Sequence, residues 1–321
     1  MERALLLEER KRTEPVPKVG ASTEAVTEDD VTIILPVLNE EGAIGSVLDD
    51  LIGHGYRKIL VVDGYSTDST LENVHNFGVE MIHQHGTGKA GAIRTALEHV
   101  FTPYVMIIDG DCTYRARDIE KFLLHAINYD EIIGSREKSS KNMSWLHRLG
   151  NRVITRTFNM LMGANLSDVC SGMYLLNAAS AKQLDLRTGG FNVEVEVAAQ
   201  MLRQGNITEV PIGYDNRVGK QKVSTWRHGL GILASVVKLA RIHNPAFFYS
   251  LIAASAGIPG ALIILWTLMQ WFLTGAFHSG WALAGTILFL FALQSLTVGT
   301  ISVLLKHTEA RITKRFQQRV N

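Results

Sequence analysis

Tyr104-Val-Met-Ile-Ile-Asp-Gly-Asp111 decides how the chain is read. A short, continuous apolar run suits a strand buried on both faces, and two carboxylates one residue apart stand where that strand would leave the sheet. At the carboxyl end of a parallel strand a site can open without disturbing the core. Two acids flanking a glycine can there share one hard divalent cation. An Asp-x-Asp triplet by itself is also a common solvated turn, so its weight comes from its surroundings.

Val31-Thr-Ile-Ile-Leu35, ended by Pro36, repeats the buried-strand pattern, and Gly42–Leu51 follows with helical spacing through Ile44, Val47, Leu48 and Leu51. Lys58-Ile-Leu-Val-Val62 is a second strand, with the loop Asp63–Asp68 and a helical stretch through Leu71 and Val74 after it. Val79–Ile82 and Ala90–Val100 add a third strand and a third helix, and Tyr104–Ile108 is the fourth strand. The alternation predicts an α/β fold: a Rossmann-like, mostly parallel sheet with helices on both faces. Ligands of such sheets sit beyond the carboxyl ends of the strands. Pro36–Glu41, Asp63–Asp68 and Asp109–Asp111 should therefore meet at one crevice.

Three acidic loops at one crevice call for a positively charged partner, which a divalent metal carrying a nucleotide diphosphate supplies. Asp63 can accept from ribose or base N–H groups, and Ser66 either caps the following helix or contacts the base. Lys89, in Gly86-Thr-Gly-Lys-Ala-Gly91, resembles part of a glycine-rich phosphate loop. It lacks the Walker spacing and the Ser/Thr after Lys, which argues against a kinase or ATPase.

Thirty-two Lys+Arg against thirty-one Asp+Glu in 321 residues give a net charge of +1. No basic footprint points to nucleic acid, and no acidic excess points to adaptation to high salt. Cys112 and Cys170 are too few and too far apart for a disulfide framework or a zinc site. Between Arg241 and Lys306 there is no Asp, Glu, Lys or Arg. This stretch divides at Thr274–Gly280 into Ala246–Leu273 and Trp281–Leu305, each longer than the ~20 residues that cross a bilayer core. Two spanning helices and a short loop make a hairpin, with Pro259 a tolerable kink and Phe247, Phe248, Tyr249, Trp266, Trp271 and Trp281 as interfacial aromatics. Lys238 and Arg241 before it, and Lys306, Arg311, Lys314, Arg315 and Arg319 after it, place both flanks in the cytoplasm. The expected location is thus the cell membrane, with two spans and with catalytic domain and both termini cytoplasmic. Residues 1–30 read as a flexible cytoplasmic tail whose Leu5-Leu-Leu7 run is too short for a secretory signal. A catalytic domain over 31–222 precedes a juxtamembrane amphipathic helix over 223–244, striped by Trp226, Leu230, Leu233, Val237 and Ala240. The hairpin over 245–305 and a basic tail over 306–321 complete the division.

Further motifs carry a family resemblance. Pro36-Val-Leu-Asn-Glu-Glu41, Val62-Asp-Gly-Tyr-Ser-Thr-Asp-Ser-Thr70, Asp109-Gly-Asp111, Gly134-Ser-Arg136, Asp168-Val-Cys-Ser-Gly172 and Gly190-Phe-Asn-Val-Glu-Val-Glu196 resemble, in order and spacing, the family 2 inverting glycosyltransferases. More narrowly they are similar to the polyprenyl-phosphate (dolichyl-phosphate) hexose synthases. His147–Arg152, Glu209–Ile212 and Asn244–Phe248 most closely resemble the archaeal dolichyl-phosphate glycosyltransferases of S-layer and flagellin N-glycosylation. The resemblance covers about residues 31 to 305.

It implies a GT-A fold, a nucleotide-sugar donor, a dolichyl or polyprenyl phosphate acceptor presented at membrane lipid, and Mg²⁺ or Mn²⁺ as cofactor. By family position Pro36, Leu38, Glu40, Asp63 and Ser66 would line the nucleotide pocket, and Lys89, from its glycine-rich loop, is expected on the same donor. Asp109 and Asp111, either side of Gly110, would hold the metal. Arg136 and Arg148 match arginines expected on the acceptor phosphate, Asp168, Ser171 and Gly172 the loop under the sugar, and Arg217 and Lys222 a basic flap over the donor. Of Glu194 and Glu196, i and i+2 on one helix, at most one points into the site, and Glu196 is the family match. The chain departs from the mannose-synthase pattern at Gly64, where an acid is usual, and at Thr113, where a Gln helps ligate metal. Both departures weaken the GDP-mannose reading, and Gly64 together with the archaeal resemblance favours a UDP-sugar, such as UDP-glucose or UDP-GlcNAc. The alternatives are a GDP-mannose enzyme, a glycan-extending enzyme with Asp168 or Glu196 as base, and a catalytically silent nucleotide-sugar-binding membrane module.

Overall fold

The computed structural model describes residues 25–136, 145–186, 193–218 and 244–320, with isolated positions between 234 and 241. Most of the amphipathic helix expected over 223–244, and Lys222 with it, lies outside the described residues. The chain forms two compact units, Met1–Val236 and Val237–Asn321.

The first unit is built on seven strands: β1 (Val31–Val37), β2 (Ile59–Asp63), β3 (Glu80–His83), β4 (Tyr104–Ile107), β5 (Glu131–Arg136), β6 (Tyr174–Asn177) and β7 (Ile207–Ile212). Their order is β3-β2-β1-β4-β6-β5-β7. All neighbours are parallel except β6, which runs antiparallel to both β4 and β5. Helices α1 (Ile44–Gly53), α2 (Thr70–Asn76), α3 (Gly88–Glu98), α4 (Ile119–Leu123), α5 (Trp145–Met162), α6 (Ala178–Ala181) and α7 (Val193–Gln204) fill the connections. Ile44, Val47, Leu48 and Leu51 bury one face of α1 against Ile33, Leu35 and Met106 of the sheet, so the apolar spacing of that helix faces the core.

Two boundaries near β1 differ from expectation in ways that bear on the site. Residues 28–30 form a 3₁₀ turn before β1, closed by a capping box in which Thr27 N–H donates to Asp30 Oδ2 at 2.9 Å, so the expected tail stops short of them. β1 continues through Pro36 rather than ending at it. Ile33 N–H and Val37 C=O bond on the β2 side, so the missing N–H of Pro36 faces β4. There the pairing already ends at Ile34 with Ile107, and no ladder bond is lost. The chain turns to opposite sides of β1 at this junction, and the divergence of β1 from β4 opens a crevice at the topological switch point.

The second unit holds α8 (Pro245–Thr274) and α9 (Ser279–Val320). Asn244 caps α8 by accepting from Phe247 N–H, Pro245 follows at the first helical position, and Gly275, in the left-handed conformation at φ 71°, ends it. The two helices approach closely enough that a Cβ on Gly260 would stand 3.0 Å from Gly285 O. Pro245–Thr274 and Ser279–Leu305 are long and apolar enough to cross a membrane, with mean hydropathy 2.0 each. Only 22% and 17% of their most apolar windows are buried, which is unlike core helices of a soluble domain. The residues expected as a separate basic tail from 306 continue α9 to Val320.

Candidate active site

The loops after β1 and β2 are stitched together by their own polar side chains. Asn39, at φ 52°, accepts from Thr67 N–H at 2.7 Å, and its own N–H donates to Ser66 Oγ at 2.8 Å. Glu40 N–H donates to Thr70 Oγ1 and Ser69 N–H to Glu41 Oε2. Ser66 therefore ties loop to loop instead of capping α2. Asp63 is fully buried and accepts from Tyr65 N–H at 2.8 Å and from Ser66 N–H, with His83 Nδ1 3.2 Å away. It shapes the turn and lies outside the cavity lining, unlike the base contact read from sequence.

A cavity of about 550 Å³ lies at the switch point, lined at one end by Lys89, Asp109, Asp111, Glu194 and Arg217 and at the other by Leu38, Gly64, Tyr65 and Gln84. Pro36, Glu40 and Gly110 also line it, as the sequence suggested, whereas Ser66, Arg136, Arg148, Asp168, Ser171, Gly172 and Glu196 do not. Lys89 Nζ donates to Asp109 Oδ1 and, at 2.6 Å, to Glu194 Oε1. Burial opposes the ammonium charge, but the two carboxylates outweigh it and hold Lys89 protonated well above its usual range. Burial also raises the Glu194 carboxyl, partly offset by Lys89. Glu194, not Glu196, is the acid of α7 that faces the cavity. Glu196 is buried elsewhere on that helix.

Asp111 is held from beneath. Thr113 Oγ1 donates to its Oδ1 at 2.6 Å, so the residue standing where the mannose-synthase pattern has a Gln supports the Asp111 carboxylate. Arg217 Nη2 reaches Glu40 Oε1 at 2.8 Å and its Nη1 lies 3.5 Å from Asp111 Oδ2. The segment carrying Arg217 is pinned there, because Asp215 N–H donates to Thr113 O and Val218 N–H to Asp111 O. Burial, reinforced by the nearby charge of Asp109, raises the Asp111 carboxyl above its ordinary value despite Thr113 and Arg217. Two acids whose charges oppose each other in a buried crevice are a fitting donor pair for a divalent cation. Among the described residues no group of three or more His, Cys, Asp or Glu side chains gathers to hold one unaided. A cation held by Asp109 and Asp111 would thus take its other ligands from phosphate and water, as Mg²⁺ commonly does.

Gly172 acts by clearing space: a Cβ there would lie 1.9 Å from Asp109 Oδ2. Its N–H donates to the buried Tyr114 hydroxyl at 2.8 Å, which fixes the loop under Asp109. On the next layer Arg136 forms a two-pronged pair with Asp168, Nε to Oδ2 at 2.6 Å and Nη2 to Oδ1 at 2.7 Å. Burial would raise the Asp168 carboxyl, but Arg136 and Asn151 hold it below its usual value. Glu209 of β7 accepts from the N–H groups of Ser167 and Asp168, and Ser171 is buried in the same loop. Arg136 also sits over the Tyr214 ring, 5.3 Å from its centroid, and Tyr214 lines the cavity. Arg148 is exposed on α5, one turn before the Asn151 that bonds Asp168 at 2.7 Å. The two arginines thus flank one loop, Arg136 committed to it and Arg148 open to solvent.

The sheet order, with its one reversed strand and its cavity at the switch point, is that of a GT-A glycosyltransferase domain. The chain belongs to glycosyl transferase family 2, whose model matches residues 32–185. It is 31% identical to glycosyltransferase AglJ of Haloferax volcanii over 91% of this chain and 99% of that protein. A dolichyl-phosphate hexose transferase of the same organism is 34% identical over 66% of this chain and 95% of its own length. Glucosyl-3-phosphoglycerate synthase of Mycobacterium tuberculosis, solved with Mn²⁺, UDP and glucosyl-3-phosphoglycerate, shares the fold: TM-score 0.55 at 17% identity, over 69% of this chain and 85% of that one.

Proposed function

We propose that this glycosyltransferase moves a hexose from a UDP-sugar to dolichyl or polyprenyl phosphate with inversion, supplying lipid-linked sugar for protein or cell-surface glycosylation. The observation that carries the donor half is the end of the cavity where two carboxylates, Asp109 and Asp111, are each paired with a cation, Lys89 and Arg217. A diphosphate fits such an end, because the cations can turn to phosphate as the carboxylates turn to a metal ion. A bound Mg²⁺ or Mn²⁺ supplies Lewis-acid neutralisation of the departing nucleotide. Lys89 and Arg217 place positive charge where that leaving group gains negative charge, in a crevice that strengthens the interaction.

The acceptor half rests on two features. A phosphate monoester is already anionic near neutral pH, so it needs placement rather than deprotonation. Glu194, the cavity acid best placed to act as a base, is committed to Lys89. Arg148, exposed beside the Asp168 loop, is suited to hold phosphate, since the planar guanidinium matches it, and Arg136, whose fork is spent on Asp168, positions that loop. The two apolar helices supply the second feature: as a membrane hairpin, with the enzyme on the cytoplasmic side, they would keep it where a polyprenyl phosphate resides. The relative named a dolichyl-phosphate hexose transferase supports the same acceptor class.

The test uses the full chain in detergent with Mg²⁺ or Mn²⁺, a panel of labelled UDP- and GDP-sugars, and a short polyprenyl phosphate. Organic-extractable label released by mild acid is expected. Label that appears only on a glycan acceptor would overturn the reading.

A further inference from the structure

The neutral end of the cavity holds one buried polar side chain that the transfer chemistry leaves unused. Gln84 follows β3, its N–H bonded to Asp63 O, and is 7% exposed. Its Nε2 donates to Gly86 O at 3.3 Å, which fixes the orientation of the carboxamide. The side chain lines the cavity, and its hydrogen bonds to described residues run through N–H and Nε2, leaving Oε1 open towards that cavity. Gly64 keeps that oxygen open, since a Cβ there would stand 3.6 Å from Gln84 Oε1, 3.5 Å from Leu38 Cβ and 3.3 Å from Val37 O. An acceptor that opens only into the cavity is served by water when the cavity is empty and by a ligand N–H when that water is displaced.

The neighbouring groups narrow the ligand. Tyr65 lines the same end, its ring stacked on His83 at 5.3 Å and 7°, and offers a flat face for a heterocycle. Asp63, at the end of β2, accepts from the Tyr65 and Ser66 N–H groups and is not part of the cavity lining. Guanine presents N1–H beside an exocyclic amine, a pair of donors that a carboxylate satisfies and a single amide oxygen does not. Cytosine turns an acceptor, N3, towards an acceptor. Uracil presents one N–H flanked by two carbonyl oxygens, which complements an amide oxygen beside an amide N–H.

We propose that Gln84 reads the base of the donor: its Oε1 accepts from N3–H of uracil, and Gly64 provides the clearance for that contact. This rests on the nucleotide-sugar reading above, and binding without turnover separates the two. Calorimetry on the full chain in detergent with Mn²⁺ would compare UDP, N3-methyl-UDP, CDP and GDP. UDP should bind tightest, and N3-methylation should weaken binding about tenfold or more in the wild type. Gln84→Ala should weaken UDP by a similar factor and remove most of the N3-methyl penalty, while leaving CDP unchanged. UDP and N3-methyl-UDP binding equally to the wild type, an undiminished penalty in Gln84→Ala, or GDP binding tighter than UDP would each overturn the assignment of Gln84 while leaving the transferase intact. A wild type that binds none of the four would overturn the donor reading and this inference together.

Discussion

The two ends of the cavity solve opposite problems. At one end every charged group already has a partner, Asp109 and Glu194 on Lys89, Asp111 and Glu40 on Arg217. At the other end the groups are neutral, and the one buried acceptor stands open beside a glycine. Charge inside a protein is tolerable only when paired, so a diphosphate entering the first end exchanges partners. A base entering the second end takes the place of water at that acceptor. The first arrangement suits catalysis on any nucleotide diphosphate, and the second suits choosing among bases.

Substitutions can break this division, and the largest effect is expected at the charged end. Asp111→Ala should lower turnover on the order of 10³-fold, with Thr113 left donating to nothing; activity within a few-fold of wild type in the lipid-phosphate assay would remove the role given to Asp111. Gly172→Ala should cost about 10²-fold, because the new Cβ must push Asp109 aside. Its far-ultraviolet circular dichroism should stay native while kcat falls. Arg136→Lys should raise the KM for polyprenyl phosphate about tenfold and leave UDP affinity unchanged, since it loses the two-pronged geometry in the layer behind the cavity. Kinetics with each substrate varied in turn would show whether donor and acceptor effects separate.

The smallest effect is expected away from both ends. Glu131 at the start of β5 is buried with no hydrogen-bond partner for Oε2 among the described residues, and burial alone raises its carboxyl well above 4.5. Its folded form holds a proton that the unfolded chain releases. The stability it contributes is thus fully present below the unfolded value and declines as pH rises towards the folded one, by up to about 1.4 kcal/mol per pH unit. Glu131→Gln should match wild type in thermal unfolding near pH 4.5 and exceed it increasingly as pH is raised. An equal gap at both pH values would mean that Glu131 is ionised in the folded protein.

Strands β1, β2 and β4 were readable because each apolar run is buried on both faces and bounded by a polar loop, and the edge strand β3, only half-buried at Met81 and Ile82, was readable from its place between two helical stretches. Beyond Asp111 the pattern fades. β6 is only Tyr174-Leu-Leu-Asn177, and β7 carries Thr208, Glu209 and Pro211 at the sheet edge, so neither presents a strong run. The charged half of the site was legible because acids and basic residues in sparse motifs stand out. Gln84 and the clearing role of Gly172 were not, since an amide among polar loop residues and a glycine near a carboxylate acquire meaning only when distances are known. Glu194 and Glu196 could not be told apart for the same reason: two residues on, a helix has turned far enough to exchange faces.

The reversed strand β6 has a consequence for how such a domain can diversify. Because β6 enters the sheet at the edge where β4 and β5 leave it, the excursion from Arg136 to Tyr174 begins and ends beside Asp109. The sheet leaves its length open and fixes its content only near the end, where Arg136 and Glu209 hold Ser167 and Asp168 and Asp109 requires Gly172. That stretch behaves as a cassette, and grafting the corresponding piece of a relative between β5 and β6 would exchange the surroundings of Arg148 and Asp168 without shifting the register of a single strand.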